Sequence, residues 1–268
     1  MKIATWNING VKARLETVCT WLKESQPDVA CLQEIKSIDE NFPSERFEEL
    51  GYNVATHGQK GFNGVAIFSK IPFDEVTRRL PGDDDDEQAR YIEAVVGIPK
   101  DGDGEHAGVI RVASLYLPNG NPLGSEKFPY KLGWMERLEG RAKVLLEEET
   151  PFILAGDYNV IPEPRDCRNA KDWMGDALYQ PESRGAFRAL ENLGFTDAIR
   201  ATYPDDEVFT FWDYQAGAWQ KNDGIRIDHL MMSPQAADLL VTAGVDKETR
   251  GWEKPSDHVP VWVEIGGG

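Results

Sequence analysis

Residues 256–261, Ser-Asp-His-Val-Pro-Val, place an acidic residue directly before a histidine and then begin an apolar strand. Three other short motifs also join strand-like apolar residues to carboxylates or amides: Trp6-Asn7-Ile8-Asn9-Gly10, Leu32-Gln33-Glu34 and Gly156-Asp157-Tyr158-Asn159. In an open α/β sheet, active sites lie at such strand ends. Together the motifs supply Asn, Glu, Asp and His side chains, which predicts a hard-cation site with a general base beside it. This combination indicates metal-assisted hydrolysis of a phosphoester.

Strand-like and helix-like periodicity extends through the whole chain. Strands are predicted near residues 2–8, 28–34, 52–56, 64–69, 90–96, 109–117, 152–157, 225–232 and 258–265. Helices are predicted at residues 11–25, 44–50, 125–149, 183–193 and 234–241. Ser125 is the predicted N-cap of the longest helix. Because strands outnumber helices and short turns join many neighbours, we expect antiparallel or mixed sheets packed face to face, with helices outside.

The chain of 268 residues is long enough for one large domain, and no linker, repeat or low-complexity tract divides it. A single domain over residues 1–268 is therefore expected. The first residues enter a strand without a secretory signal, and no apolar run approaches the ~18 residues of a membrane span. Cys19, Cys31 and Cys167 are odd in number and lack paired spacing. This cysteine pattern predicts a cytoplasmic, disulfide-free protein with Cys31 in its core.

The formal net charge of −17 is unusual for a protein that binds nucleic acid. Much of the excess lies in three acidic runs, at residues 83–87, 147–149 and 205–207. We interpret these runs as solvated loops and helix ends. The charge therefore permits DNA as a partner, but it predicts weak non-specific binding and strong salt dependence. Residues 83–87 lie just before Arg90, and the sequence leaves open whether they are near a DNA path.

Three irregular segments have the composition of functional loops. Residues 57–64 are rich in glycine and include one lysine, Lys60, while residues 158–182 include Arg165 and other cations. Residues 209–224 are aromatic and rich in glycine, without helical period. Loops of this length in a compact domain are usually functional or disordered, and the aromatic content of the last segment argues against disorder.

Glu34, Asn7 and Asp257 are the candidate ligands of a metal ion. Mg²⁺ prefers oxygen ligands and keeps several waters, so one or two carboxylates suffice. Taken singly, Glu34 could be a surface residue at a strand end, and Asn7 could begin the turn at Asn9-Gly10. The three residues support one another because each lies at the end of an apolar strand.

Asp157 and Asn159 flank Tyr158 after another apolar run. With a side-chain period of two, both side chains point the same way. One could orient or deprotonate a water molecule while the other holds a phosphate oxygen. An Asx turn that closes the strand is the alternative interpretation of the same pattern.

His258, Asp228 and Tyr116 complete the candidate catalytic residues. Asp228 could orient the imidazole of His258 and fix its tautomer, so that His258 acts as an acid, a base or an electrophile toward phosphate. A hydrogen-bonded core histidine is the alternative. Tyr116 ends a strand, where its phenol could bind or protonate a phosphate oxygen or could only pack. The sequence contains no Walker loop, no Gly-x-Ser-x-Gly motif and no zinc-type cysteine spacing.

Seven motifs in a fixed order make the chain similar to the exonuclease III family of abasic-site endonucleases, within the endonuclease/exonuclease/phosphatase superfamily. They cover nearly the whole chain. The match runs from Trp6-Asn7-Ile8-Asn9-Gly10 to Asp257-His258. The seven motifs are Leu32-Gln33-Glu34, His57-Gly58-Gln59-Lys60-Gly61, Tyr116-Leu117-Pro118-Asn119-Gly120, Gly156-Asp157-Tyr158-Asn159, Phe209-Thr210-Phe211-Trp212, Arg226-Ile227-Asp228 and Ser256-Asp257-His258. Each is weak alone, but the ordered set is highly specific.

The resemblance implies a DNase I-like four-layer α/β sandwich, with two mixed β-sheets face to face and helices outside. It also implies dependence on Mg²⁺ or Mn²⁺. The implied metal ligands are Glu34 as the main ligand, with Asn7, Asp157, Asn159, Asp257 and His258. By the same resemblance, Asp157 activates the attacking water, and Asn159 and His258 bind the scissile phosphate. Asp228 orients His258, and Tyr116 acts near the phosphate.

The implied partner is double-stranded DNA with an abasic site or a blocked 3′ end. A monomer is expected, because no exposed apolar helix face stands out in the sequence. The residues matched with DNA contacts are Lys60, Arg90, Asn119, Arg165, Phe211 and Trp212. Aromatic rings such as Phe211 and Trp212 can stack on bases or bury an abasic sugar.

The implied function is a DNA-repair hydrolase that cuts 5′ of an abasic site, with 3′-to-5′ exonuclease and 3′-phosphatase activity. One alternative is a phosphodiesterase or phosphatase of the same superfamily that acts on RNA, lipid or inositol phosphates. Secreted DNase I-like relatives use a second active-site histidine and disulfides, whereas this chain has Tyr116 at that strand end, which favours the repair branch. Another alternative is a DNA-binding protein with an inactive site, but none of the expected polar residues is missing.

Overall fold

The computed structural model describes residues 1–100 and 106–266. The strands in this part of the chain are β1 Lys2–Asn7, β2 Val29–Gln33, β3 Asn53–His57, β4 Val65–Ser69, β5 Phe73–Arg78, β6 Tyr91–Pro99, β7 His106–Tyr116, β8 Phe152–Asp157, β9 Thr196–Asp197, β10 Asp228–Met232, β11 Leu240–Val245 and β12 Val261–Ile265. The α-helices are α1 Val11–Ser25, α2 Ser44–Glu48, α3 Lys127–Leu146, α4 Pro181–Asn192, α5 Ala198–Thr202, α6 Ala218–Lys221 and α7 Pro234–Ala237. Short 3-10 segments lie at Asp39–Asn41, Pro164–Asp166, Ala170–Trp173 and Lys247–Gly251.

Two six-stranded sheets form the centre of the molecule. The first has the strand order β11-β12-β1-β2-β4-β3, and the second has the order β5-β6-β7-β8-β10-β9. Among the described strands, β1 with β2 and β7 with β8 are parallel pairs, and the other neighbours are antiparallel. Both sheets are therefore mixed, as predicted.

Apolar side chains alternate between layers along the central strands. In β8, Ile153 and Ala155 pack between the two sheets, while Phe152 and Leu154 pack beneath α3 and α4. A third apolar cluster joins α1 to the outer face of the first sheet. The layer order is helix, sheet, sheet, helix, which confirms the predicted four-layer sandwich.

Each of the nine predicted strands corresponds to an observed strand, but the sequence does not predict β5, β9 or β11. The predicted helix at residues 234–241 is wrong beyond Ala237, because the chain leaves the one-turn α7 and enters β11. β5 and β11 are edge strands in which several side chains are exposed. An edge strand need not be apolar on both faces, so its hydrophobic pattern is weak.

The long helix α3 begins two residues later than predicted. Glu126 occupies the N-cap position and makes no side-chain capping hydrogen bond. Ser125 Oγ instead donates to the carbonyl oxygen of Pro122 at 2.7 Å and accepts from the Lys127 N–H at 3.3 Å. The predicted cap is therefore wrong, and Ser125 stabilises the turn that precedes the helix.

The register of the second sheet brings three polar residues together. Tyr116 and Asp228 both lie opposite Asp157, one on each neighbouring strand. Gly156 permits this close pairing, since a Cβ there would lie 2.0 Å from the carbonyl oxygen of Leu115. The ends of β7 and β8 and the start of β10 therefore meet at one edge of the sandwich.

The ends of β1 and β2 in the first sheet lie at the same edge of the sandwich and face the strand ends of the second sheet. Asn7 ends β1 opposite Gln33, the last residue of β2. Ser256 Oγ donates to the carbonyl oxygen of Asn7 at 2.7 Å, and Trp6 Nε1 donates to the carbonyl oxygen of His258 at 3.0 Å. These bonds hold the segment before β12 beside the end of β1.

No helix in residues 1–100 or 106–266 is long and apolar enough to cross a membrane. The cysteines are buried and form no bond to one another. Cys31 packs between the two sheets, as predicted.

Candidate active site

A cavity of about 260 Å³ opens at the edge where the strand ends meet. Its walls include six residues singled out from the sequence: Glu34, Tyr116, Asp157, Asn159, Asp257 and His258. Asn7 and Asp228 are fully buried behind this lining and are hydrogen-bonded to it. The sheet order thus brings distant strand ends into one site.

A larger groove of about 610 Å³ lies over α1, beside residues 252–254. Its ionic side chains are exposed, among them Lys12, Glu16 and Lys254. None of the residues that line this groove is buried. The smaller cavity, where buried polar groups converge, is therefore the better candidate site.

Asp228 and His258 form a buried charge pair behind the cavity. His258 donates from Nδ1 to Asp228 Oδ2 at 2.8 Å, and Thr210 Oγ1 donates to the same oxygen at 2.6 Å. His258 Nε2 lies 3.7 Å from Asp157 Oδ2. Burial alone would lower the pKa of His258, but the charges of Asp228 and Asp157 raise that pKa to about 10. The ring is therefore an imidazolium at neutral pH.

Asp157 combines burial with a fixed orientation. Burial raises the pKa of its carboxyl group to about 7, although the charge of His258 opposes this shift. The Asn159 N–H donates to Asp157 Oδ1 at 2.9 Å, and Asn7 Nδ2 donates to Oδ2 at 3.0 Å. A carboxylate with a pKa near neutrality can take a proton from a water molecule. Asp157 thus has the properties that a general base requires.

Asn7 links Asp157 to Glu34 across the two sheets. Its Nδ2 donates to Glu34 Oε1 at 2.9 Å as well as to Asp157. Lys36 Nζ lies 2.8 Å from Glu34 Oε2. Burial alone would raise the pKa of Glu34, but hydrogen bonds from Lys36 and Asn7 lower it. Glu34 is therefore an anion at the cavity wall.

Asn9 is a residue of the site that the sequence suggested only as part of a turn. Its Nδ2 donates to Asp257 Oδ1 at 3.1 Å, and its Oδ1 accepts from Lys36 Nζ at 2.5 Å. The Asn9 N–H donates to Asn7 Oδ1 at 3.0 Å, in a left-handed conformation with φ of 49°. Asn9 thereby connects Asp257 to the rest of the site. Because its partners are distant in sequence, no local pattern identifies this role.

The directly paired charges of the site leave an excess of two negative charges when all groups are ionised. Four carboxylates face two cations, and they are Glu34, Asp157, Asp228 and Asp257 with Lys36 and His258. The groups that face the cavity with free lone pairs are oxygens. Hard divalent cations such as Mg²⁺ prefer oxygen ligands. The donor set therefore fits a divalent cation.

The charge and the hydrogen bonds of His258 bear on its predicted role as a metal ligand. Asp157, Asp228 and His258 have ligand atoms within 4.8 Å of one another, but Asp228 already accepts from His258 and Thr210. An imidazolium has no free lone pair for a metal. The predicted ligand role of His258 stays a prediction, and its position at the cavity wall also suits a hydrogen-bond donor to a phosphate oxygen.

Tyr116 lies at the cavity wall with Arg90 above its ring. The Arg90 guanidinium carbon is 4.8 Å from the ring centroid, and Arg90 Nη1 donates to the Tyr116 carbonyl oxygen at 3.2 Å. Burial and the charges of Glu34 and Asp157 raise the pKa of Tyr116 well above its ordinary value. The phenol is therefore neutral and can donate a hydrogen bond.

Asn119 and Asn159 are neighbours in the same wall. Asn119 Nδ2 donates to Asn159 Oδ1 at 3.3 Å, and Asn159 Nδ2 donates to the carbonyl oxygen of Leu117 at 2.8 Å. An amide nitrogen has two hydrogens, so Asn159 Nδ2 retains one beyond the bond to Leu117. The predicted ligand role of Asn159 remains a prediction.

In the aromatic segment at residues 209–224, Phe211 lies at the cavity and Trp212 lies in the core. Phe211 lines the cavity, with its ring centroid 5.0 Å from that of His258. Trp212 has no exposed surface and packs against Phe209 and Trp219. Neighbouring side chains in an extended segment point to opposite sides. The predicted DNA contact of Trp212 is therefore wrong in this structure, while Phe211 is placed to meet a ligand.

Two predicted DNA-contacting cations lie outside the cavity lining. Arg165 Nε is 2.5 Å from Glu163 Oε2, and its guanidinium also donates to the carbonyl oxygen of Pro204. Lys60 is exposed on the loop after β3. Trp173, from the same long loop as Arg165, does line the cavity. The sequence identified this loop but could not show which of its residues face inward.

The acidic run at residues 83–87 is held against α3. Tyr130 donates its hydroxyl to Asp86 at 3.0 Å, and Arg137 forms an ion pair with Asp86. Asp83 lies 3.9 Å from the same Arg137. Part of the negative charge of the run is therefore offset by a cation of the protein.

Comparison with known proteins gives a consistent result over the whole chain. The Endonuclease/Exonuclease/phosphatase family matches residues 4–258. The sequence is 36% identical to exodeoxyribonuclease III of Haemophilus influenzae, over 99% of this chain and 100% of that protein. The structure is similar to an AP endonuclease from Archaeoglobus fulgidus, with a TM-score of 0.90 and 36% identity. It is also similar to the 3′ phosphatase NExo from Neisseria bound to a product DNA hairpin, with a TM-score of 0.92 and 36% identity. Each structural match covers 99% of both chains.

Proposed function

The chain belongs to the endonuclease/exonuclease/phosphatase family, and from this premise we propose that it is a DNA-repair phosphodiesterase that cleaves 5′ of abasic sites. We propose further that it removes nucleotides and phosphate groups from 3′ ends. The observation that carries the proposal is the row Asp228, His258 and Asp157, which faces Glu34 across one cavity. The names of its relatives support nuclease and phosphatase activity on DNA.

The proposed cofactor is Mg²⁺, for which Mn²⁺ could substitute. Glu34 would hold it, together with Asn7 and Asp257. Asn7 also donates to Asp157, so the Asp157 carboxylate would lie close to the cation and interact with its positive charge. When bound, a divalent cation offsets the negative charge that develops on the scissile phosphate. The negative excess of the paired side chains supports this assignment.

In the proposed reaction Asp157 accepts a proton from the attacking water. The water oxygen forms a bond to phosphorus, and the bond from phosphorus to the 3′ oxygen of the upstream nucleotide breaks. The released 3′ oxygen takes a proton from solvent and becomes a hydroxyl group. His258 donates from Nε2 to a phosphate oxygen, and Asp228 keeps the ring oriented and charged. Asn159 and Tyr116 donate to the remaining phosphate oxygens from the same wall. Groups fixed before the reaction in this way stabilise developing charge without reorganisation.

The proposed substrate is double-stranded DNA bound by one copy of the protein. Phe211 would pack against an abasic sugar, and Arg90 would attract a phosphate beside Tyr116. Three buried, unpaired cysteines are compatible with a reducing compartment, which supports the cytoplasm as its location.

Cleavage of a duplex that contains one tetrahydrofuran residue tests the proposal. With Mg²⁺ we expect a nick on the 5′ side, no product in EDTA, and no product from Asp157→Asn. A recessed 3′ end and a 3′-phosphate end in parallel measure the other two activities. Turnover of an RNA or an inositol phosphate without any DNA cleavage would contradict the proposal and favour another branch of the superfamily.

A further inference from the structure

Lys131 is a lysine of α3 with no exposed surface. Its amino group donates to the carbonyl oxygens of Asn119, at 3.1 Å, and Asn159, at 2.5 Å. Fully buried lysines are rare, because removing an amino group from water costs free energy unless hydrogen bonds compensate. A methionine would fill similar space without that cost. Packing alone therefore does not explain a lysine at this position.

The two carbonyl groups belong to residues of the cavity wall. Asn119 follows β7 and Asn159 follows β8, which are neighbouring parallel strands. Asn159 has a left-handed backbone, with φ of 47°, a conformation in which a non-glycine residue needs support from its surroundings. Lys131 ties the two backbones together behind the side chains that face the cavity.

The aliphatic part of Lys131 packs against Gly120, which links it to a third segment of the wall. A Cβ on Gly120 would lie 2.7 Å from Lys131 Cδ and 3.1 Å from Ala177 Cβ. Asn121 Oδ1 accepts from the Ala177 N–H at 3.0 Å, and its Nδ2 donates to Asp176 Oδ1 at 3.0 Å. Residues 176–178 thus connect to Lys131 through Gly120 and Asn121 of the loop after β7.

We propose that Lys131 is a positioning residue that sets the amides of Asn119 and Asn159 by holding their backbone carbonyl groups. It touches no substrate in this proposal, which rests on the proposed function because Asn159 there contacts the scissile phosphate. A misplacement of about 1 Å can cost on the order of 10²-fold in rate. We expect Lys131→Met to lower kcat about 10- to 100-fold, with KM within about threefold of wild type.

A double-mutant cycle separates positioning from a general effect on the fold. If Lys131 acts through Asn159, then Lys131→Met should lower kcat by less than about twofold in an Asn159→Ala background. Lys143→Met is the matched control, since Lys143 lies on the exposed side of α3 in an ion pair with Glu139, and it should leave kcat unchanged. An equal loss in both backgrounds would overturn the proposal.

Side-chain amide signals in protein labelled with ¹⁵N-asparagine test positioning without turnover. Asn119→Ala and Asn159→Ala assign the two signals, which should shift in Lys131→Met and stay in place in Lys143→Met. Unshifted signals would overturn the proposal even if DNA is cleaved. Shifted signals in a protein that cleaves no DNA would instead reject the proposed function and keep the positioning role.

Lys131→Gln covers the case in which Lys131→Met does not fold. Glutamine keeps a donor for one carbonyl group, so the same two signals should shift by a smaller amount. A folded Lys131→Gln protein with unshifted signals and wild-type kcat would also overturn the proposal.

Discussion

Two buried charge networks lie side by side at the start of β10. One raises the pKa of an aspartate, and the other lowers the pKa of two aspartates. They are the cavity array of Asp157, Asp228 and His258 and the arginine network of Arg226, Asp166 and Asp197. Only two positions along the chain separate Arg226 from Asp228. Both networks are almost completely buried, so burial alone does not explain their difference.

In the arginine network both carboxylates remain anions. Burial alone would raise the pKa of Asp166 and Asp197, but Arg226 lowers both, with bonds from Nε at 2.7 Å and Nη1 at 2.6 Å. Arg200 also pairs with Asp166, so two guanidinium groups balance two carboxylates. A guanidinium does not lose its proton in proteins. The network therefore exchanges no protons and fastens the long loop at residues 158–182 to β9 and β10.

The cavity array lacks a guanidinium and has more carboxylates than cations. Burial raises the pKa of Asp157 to about 7, although the imidazolium of His258 and hydrogen bonds from Asn159 and Asn7 oppose that shift. A pKa near neutrality lets a carboxylate give and take protons. The cation that accompanies a buried aspartate thus decides whether the aspartate fixes the structure or performs chemistry.

Removal of Asp157 or His258 should have the largest effect on activity. A positioned proton-transfer group contributes ~10²–10⁴-fold, so Asp157→Asn and His258→Asn should each lower kcat by at least that order in single-turnover cleavage of the tetrahydrofuran duplex. Their losses should not add, because both act on one phosphate. The melting temperature of Asp157→Asn should be unchanged or higher, because one of several repelling charges is gone. Fully additive losses would make one of the two residues structural.

Loss of Arg226 should affect stability rather than chemistry. Arg226→Met leaves Asp166 and Asp197 without their shared cation, which should lower the free energy of unfolding by about 3–5 kcal/mol. Urea unfolding measures this change. Arg168→Met, which breaks the exposed pair with Glu207, is the control and should cost less than about 1 kcal/mol. A stable Arg226→Met protein with a large loss of kcat would contradict the distinction, because the arginine network would then affect the reaction rather than the stability of the fold.

The pH dependence of stability should show a smaller effect from His229, which adjoins the arginine network. Burial and the charge of Arg226 lower the pKa of His229 to about 4, and its Nδ1 accepts from Arg226 at 2.9 Å. The unfolded chain takes up the proton near the ordinary value of about 6.5, while the folded protein does not. Stability should therefore fall between these two pKa values as pH is lowered, by about 1–3 kcal/mol.

His229→Gln should flatten that part of the stability curve, because glutamine does not titrate. Asp166 and Asp197 contribute at lower pH, since their lowered pKa values make stability fall as each becomes protonated. Urea unfolding over a pH series measures both contributions. A slope that is the same in wild type and in His229→Gln would show that His229 does not contribute to the pH dependence of stability.

The strand-end residues of the site could be predicted from the sequence because each follows from a local pattern. Glu34 and Asp157 end apolar runs, and the sheet order then brings them together. Asn9 and Lys131 could not be predicted, since their roles depend on partners that only the folded chain brings near. For the same reason, sequence could not distinguish the half-buried ring of Phe211 at the cavity from the fully buried ring of Trp212.

The fold was predicted best where strands are buried on both faces. β8 is apolar along its whole length because it packs between a sheet and two helices. The sequence did not predict β11, because it is an edge strand and its first residues continue the helical pattern of α7. Tertiary pairing with β12 then decides its conformation.

We expect the cavity residues, Glu34 included, to require a divalent cation that offsets their negative excess, whereas the arginine network should require none. The most direct test is the melting temperature as Mg²⁺ is added to wild type, Glu34→Gln and Arg226→Met. An ion that binds the folded state alone stabilises it by about 2.7 kcal/mol at one hundred times its dissociation constant. We expect Mg²⁺ to raise the melting temperature of wild type and of Arg226→Met by similar amounts, and to leave that of Glu34→Gln unchanged. An equal rise in Glu34→Gln would place the ion elsewhere and contradict the account.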